Sequence, residues 1–140
     1  MTLMSKQRPG ENMRLWHALG YRLPLAGLVS ILHRVSGLVM LVLMPFIIWM
    51  FDTSLTSEIT YSQFTAVFVG GAGFVPAWFF KLMTLALIWA FLHHLIAGLR
   101  HLWMDATHAV SLQFGRSSAI FTLVVSVALT LALGAKLFFF

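Results

Sequence analysis

Polar positions are sparse along this chain and unevenly spread. Residues 1–24 form a polar segment that holds Lys6, Arg8, Arg14 and Arg22. Three apolar blocks follow, over about 25–51, 76–104 and 118–139. A helix needs about 20 apolar residues to cross the hydrocarbon core, and each block reaches that length. No strand-like alternation runs through them. Lipid offers no water to the backbone, so each block must satisfy its own hydrogen bonds as a helix. The expected fold is all-α, with an N-terminal segment at 1–24 and a transmembrane domain of three helices at 25–140. Pro45 lies inside the first block and should kink it. Pro76 stands where a helix N-terminus belongs. Residues 52–75 read as a long loop, and Gly70-Gly71-Ala72-Gly73 within it as a flexible stretch. Residues Asn12 to Leu19 suit a short interfacial helix.

Composition excludes the other classes. Hydrophobic residues make up 60% of the chain, charged residues 9%, and mean hydropathy is +0.91. A soluble domain carries about 25% charged residues, and a disordered chain needs low hydrophobicity. Cysteine is absent, so no thiolate-bound metal, Fe–S cluster or disulfide can form within this chain. Nine Lys and Arg face four Asp and Glu, a net charge of +5. In a membrane protein such an excess reports topology, and no nucleic-acid partner is expected. Lys6, Arg8, Arg14, Arg22, Arg100 and Arg116 flank one side. Asp52, Glu58, Lys81 and Lys136 flank the other. The positive-inside rule then puts the N-terminus and an Arg100–Arg116 loop in the cytoplasm. Trp16, Tyr21 and Trp103 would form the inner aromatic belt, Trp49 and Trp78 the outer one. The start of the chain shows no apolar core with a small-residue cleavage site, so no signal peptide is expected.

The third block repeats small residues four apart: Ser118, Thr122, Ser126, Thr130 and Gly134. Small residues let helix backbones approach closely. The stripe suits packing on this chain's own helices or on a partner subunit, and the spacing does not choose.

Ionisable groups inside a span are costly and mark function more often than not. One cluster is Ser30-Ile31-Leu32-His33-Arg34-Val35-Ser36-Gly37. Ser30 and Arg34 share a helix face. A hydroxyl beside a guanidinium can donate to a carbonyl oxygen that gains negative charge, which suits a quinone headgroup. The plainer alternative is that Arg34 snorkels to the interface and His33 is a satisfied helix-end histidine. The other cluster is His93-His94-Leu95-Ile96-Ala97-Gly98-Leu99-Arg100-His101. His94, Gly98, His101 and Asp105 lie on one stripe. His94 sits ~9 Å deeper than Arg100. A neutral imidazole at that depth suits an axial ligand of haem iron. Gly98 would leave room for a flat macrocycle, and Arg100 and His101 could meet haem propionates. The alternative is a His101–Asp105 pair at the interface. His93, off the stripe, reads as structural, and His17 and His108 as surface residues. Both clusters fall in the inner halves of their spans, so one inner-side redox site accounts for both.

Together the two motifs resemble the cytochrome b large membrane-anchor subunit of succinate dehydrogenase, respiratory complex II. The resemblance covers nearly the whole chain. It includes Gln7-Arg8-Pro9 before the first span, Ser30 to Gly37 at its start, His94-x-x-x-Gly98-x-Arg100-His101 in the second, and Asp105. It implies that Ser30 and Arg34 bind ubiquinone, that His94 is the axial ligand of haem b, and that His33 and Arg34 lie near its propionates. It also implies a small membrane-anchor subunit that supplies the other axial histidine; His33 with His94 in this chain is a geometric alternative. FAD and Fe–S clusters would reside in partner flavoprotein and iron–sulfur subunits. Gly10-Glu11-Asn12-Met13 after Arg8-Pro9 is closer to the bacterial pattern than to the mitochondrial one. The expected location is the bacterial cytoplasmic membrane.

The expected function is therefore a membrane anchor of succinate:ubiquinone oxidoreductase that passes electrons from succinate oxidation to quinone. Rival readings are a menaquinone-linked fumarate reductase anchor and a structural anchor without cofactor. A small transporter lined by His33 and Arg34 is disfavoured, because no span reads as broken or repeated.

Overall fold

The computed structural model describes residues 23–139. The expected interfacial helix, the Arg8-Pro9 motif, His17, and the belt positions Trp16 and Tyr21 lie outside the described residues. Among the described residues every named element is a helix. Helix α1 spans Leu25–Val42, α2 Met44–Leu55, α3 Glu58–Gly70, α4 Ala77–Thr107 and α5 Leu112–Phe139. Three of these, α1, α4 and α5, are long and apolar enough to cross a membrane. The protein is an all-α, three-span membrane protein.

The first apolar block is two helices rather than one kinked helix. Leu43, at φ −87° and ψ 8°, separates α1 from α2. Pro45, in the first turn of α2, has no N–H to offer back to an earlier carbonyl, and a helix accepts proline without loss only in that first turn, so the chain starts a new helix just ahead of it. The expectation of an unbroken span fails here. The break exposes only apolar side chains, with Leu41, Val42 and Met44 facing outward, so it builds no polar pathway.

The expected loop over 52–75 contains helix α3. Ser57 caps it: its Oγ accepts from the Thr60 N–H at 3.2 Å, and its own N–H donates to Thr60 Oγ1 at 3.0 Å. Threonine here does the reciprocal work usually given to Glu or Gln. The glycine stretch is an ordered turn, not a flexible one. Ala72 and Val75 exchange two backbone hydrogen bonds of 2.9 Å. Gly71 at φ 81° and Gly73 at φ 58° supply the left-handed conformations that the turn requires.

Pro76 is the N-cap of α4, and Ser111 Oγ accepts from Phe114 N–H where α5 begins. Both helices run further than hydropathy indicated. Their connection shrinks to 108–111, with His108 in the left-handed region at φ 54°. The expected Arg100–Arg116 loop is therefore mostly helix. Arg100 belongs to α4 and Arg116 to α5.

Helix α4 is central and packs on both α1 and α5, which also touch each other. The interior is built of small residues. Val29, Ala97 and Ala119 form the apolar core, and Ser36, His93, Thr122 and Ser126 are buried beside it. Large apolar side chains such as Leu41, Phe121 and Leu131 face out. This inverts a soluble protein, because lipid rather than water covers the outside. The small-residue stripe is answered by the same packing. Thr122, Ser126, Thr130 and Gly134 are buried within the chain. A Cβ at Gly134 would come within 2.7 Å of Leu85 Cδ1 on α4. The stripe is an internal seam rather than a partner-facing surface.

Candidate functional site

The two polar clusters meet where α1 crosses α4. His94 of α4 places its ring on that of His33 of α1, with centroids 4.1 Å apart and planes 19° apart. Its Nδ1 lies 3.0 Å from the His33 carbonyl oxygen. That oxygen is a pure acceptor, so Nδ1 carries the proton and donates. Ser36 Oγ donates to the same carbonyl at 2.8 Å and sits 3.3 Å from Nδ1, where its lone pair shares that proton. Such a hydrogen bond selects the tautomer with an unprotonated Nε2. His101, two turns on, is tilted against His33 with ring centroids 5.3 Å apart. Three imidazoles thus line one half-buried face of the α1–α4 pair.

Two glycines make this approach possible. A Cβ at Gly37 would stand 3.1 Å from His94 Cε1, so the glycine makes room for that ring. A Cβ at Gly98 would stand 3.4 Å from His33 Nε2. Gly98 therefore faces His33, and the space expected there for a macrocycle is filled by an imidazole.

Haem fits this donor set in one way. Porphyrin supplies four ligands itself and needs only axial nitrogens. His94 offers an unprotonated Nε2, with Nδ1 anchored to a carbonyl as metal-bound histidines commonly are. His33 and His94 cannot be the two axial ligands in this arrangement. Rings stacked face to face do not point their nitrogens at a shared ion. Among the described residues no group of three or more His, Asp or Glu side chains is gathered for a bare metal ion.

Ser30 and Arg34 lie on α1, half-buried and exposed respectively. Among the described residues neither side chain is spent on another hydrogen bond, so their donors remain available. Arg100 departs from its expected place near haem propionates. It is 8% exposed and turned toward α5, where its Nε–H donates to Ser118 Oγ at 2.9 Å and its Nη2 to the Gly115 carbonyl at 3.2 Å. It is not free to meet propionates. Asp105 is exposed, and the alternative His101–Asp105 pair does not form; His101 turns to His33 instead.

His93 points the other way, as its position off the stripe suggested. It is fully buried, stacks on Trp89 at 5.6 Å and bonds through Nδ1 to Ser126 Oγ at 3.2 Å. Ser126 gives its own proton to the Leu123 carbonyl, so His93 is the donor. Ser36 and Gly37 belong to the same crossing. Their signal was present: a small polar residue and a glycine deep in an apolar helix mark a close crossing.

The family of succinate dehydrogenase/fumarate reductase transmembrane subunits matches residues 4–133. A succinate dehydrogenase cytochrome b556 subunit from Paracoccus denitrificans is 30% identical over 113 residues, 81% of this chain and 82% of that protein. The cytochrome b556 subunit of Coxiella burnetii is 31% identical over 113 residues, 80% of this chain and 86% of its own length. The resemblance expected from the two motifs is borne out, and this chain belongs to the succinate dehydrogenase/fumarate reductase transmembrane subunit family.

Proposed function

We propose that this chain is the cytochrome b anchor of a succinate:ubiquinone oxidoreductase in a bacterial cytoplasmic membrane, with its N-terminus on the cytoplasmic side. One observation carries the haem assignment: the His33 carbonyl holds His94 Nδ1–H at 3.0 Å and so leaves Nε2 for iron. His94 and a histidine of a small membrane-anchor subunit would hold the haem; the stacking of His33 on His94 supports this over a pair within this chain. Bound haem b supplies a one-electron redox centre at this crossing. His33, Arg34 and His101 would meet its propionates near the interface.

Ser30 and Arg34 bind ubiquinone. The hydroxyl donates to one carbonyl oxygen, and the guanidinium stabilises negative charge as that oxygen is reduced. The chain's contribution is position and electrostatics. Electrons come from succinate by way of FAD and Fe–S clusters in flavoprotein and iron–sulfur partner subunits. The two relatives carry cytochrome b556 in their names, which supports the haem reading.

The test is a reduced-minus-oxidised spectrum of the complex purified in mild detergent. The wild type should show b-type bands, and His94→Ala should lose or shift them while the partner subunits still co-purify. An unchanged spectrum in the intact variant complex would overturn the ligand assignment.

A further inference from the structure

The far end of the molecule holds a second polar feature that the redox site does not use. Twenty residues of continuous α4 separate His101 from Lys81, or ~30 Å at 1.5 Å per residue, the thickness of a hydrocarbon core. Lys81 therefore stands at the headgroup level of the leaflet opposite the histidine cluster. Beside it, α2, α3, α4 and α5 leave a groove of ≈ 490 Å³. That is in the range of ligand clefts, about 300–1,000 Å³.

The groove has an apolar body and a cationic rim. Met50, Phe64, Phe68 and Leu137 form its walls, and Lys81 and Lys136 stand on α4 and α5 with no carboxylate among the described lining residues. The nearest acidic positions in sequence are committed elsewhere: Asp52 Oδ1 accepts from Thr56 Oγ1, and Glu58 is exposed in the first turn of α3. The N-terminal end of α4 adds partial positive charge, and Lys136 in the last turn of α5 offsets the partial negative charge of that helix end. Lysines that merely snorkel would extend to water. Lys81 does not: it is half-buried, and its ammonium lies 5.6 Å from the centre of the Phe138 ring on α5.

We propose that this groove binds an anionic glycerophospholipid of the leaflet opposite the histidine cluster. Its phosphate lies between the Lys81 and Lys136 ammonium groups, and an acyl chain runs along Phe64, Phe68 and Leu137. A hydrophobic helix from another subunit would seal the half-buried Lys81 ammonium without a counter-charge, at high desolvation cost. A lipid supplies the charge and the tail together. The groove exists because α3 folds back on α2 and α4; an open loop at 52–75 would leave no wall.

The complex purified in detergent, supplied with phosphatidylglycerol or phosphatidylcholine and read by native mass spectrometry, tests this. The wild type should retain phosphatidylglycerol about thirty-fold better than phosphatidylcholine, the size expected for two interfacial lysines facing an anionic headgroup. The double variant Lys81→Gln/Lys136→Gln should lose that preference while keeping its helical content and unfolding temperature. Thr65→Trp, which fills the groove and keeps both lysines, should also lose the lipid. Equal retention of the two lipids by the wild type, or an unchanged preference in the double variant, overturns the proposal. So does displacement of the lipid by millimolar inorganic phosphate, which would make the lysines a site for the free anion alone.

Discussion

Arg100 and Ser118 join two helices from inside the membrane domain: the Arg100 Nε–H donates to Ser118 Oγ at 2.9 Å, and the guanidinium also reaches the Gly115 carbonyl at 3.2 Å. A charge 8% exposed in a lipid-facing protein needs such partners. The bonds are possible because α5 offers glycine, serine and alanine at Gly115, Ser118 and Ala119, where a larger side chain would hold the guanidinium away.

Arg100→Met should therefore lower the unfolding temperature of the detergent-solubilised complex by several degrees. Hydrogen bonds to a charged group contribute about 1.5–3 kcal/mol each, and two are lost. Arg100→Lys should recover only part of the loss, because an ammonium lacks the planar fork that reaches two oxygens at once. The haem spectrum per folded complex should stay as in the wild type, since Arg100 faces away from His94. Melting at the wild-type temperature would show that the buried fork does not hold α4 to α5.

Ser36 offers a finer test of the proposed haem ligand. Its hydroxyl shares the His94 Nδ1–H with the His33 carbonyl. Removing a group that orients a metal-bound histidine typically costs about 10–100-fold in metal-site affinity. Because the carbonyl bond remains, Ser36→Ala should keep b-type bands but release haem about ten-fold faster. Ser126→Ala is the matched control on the neighbouring histidine. It removes the His93 partner, costs about 0.6–1.7 kcal/mol of helix association, and should leave haem release unchanged.

Three spans and both polar clusters were legible because burial in lipid leaves a direct mark on hydropathy. What hydropathy could not show was where polar side chains point. Arg100 read as an interfacial residue because it lies near the polar residues that follow the block; only the register of α5 reveals that Ser118 and Gly115 receive it. Helix α3 was missed for a related reason. Ser57, Thr60, Ser62, Gln63 and Thr65 dilute its hydropathy, and its start is written in a capping box rather than in apolar periodicity. Pro45 marks the interruption, yet the break falls two residues earlier, at Leu43, because a helix accepts proline in its first turn and restarts just ahead of it. The stripe from Ser118 to Gly134 showed its small-residue spacing plainly, but spacing carries no address; the Leu85 side chain against Gly134 supplies it.

Ser30 and Arg34 carry the quinone half of the proposal. Ser30→Ala and Arg34→Leu should each lower succinate:quinone reductase activity, with Arg34→Leu the larger at about 10²-fold, the usual loss for a donor that stabilises developing negative charge. Succinate oxidation by an artificial soluble acceptor should stay at the wild-type rate in both, because the flavin and Fe–S partners are untouched. Parallel loss of the two activities would indicate failed assembly and remove the support for a quinone contact. Arg34→Lys should fall between, since a point charge remains without the fork.

Gly37 and Gly98 make opposite predictions from one structural argument. A methyl at residue 37 would meet the His94 ring at 3.1 Å, and the ring cannot retreat without stretching its 3.0 Å bond to the His33 carbonyl. A methyl at residue 98 would meet His33 Nε2 at 3.4 Å, an ordinary van der Waals distance at the edge of a half-buried ring. Both glycines sit in helices, where alanine is favoured by about 1 kcal/mol. Gly98→Ala should thus raise the unfolding temperature slightly and keep haem. Gly37→Ala should forfeit that gain, because the displaced imidazole offsets it, and should lower haem occupancy at the same protein yield. The checks are the absorbance ratio of haem to protein and the melting curve, measured side by side. If Gly37→Ala matches Gly98→Ala in both, the close fit of His94 on α1 has no role in setting the ligand, and the crossing of the two helices is only a packing contact.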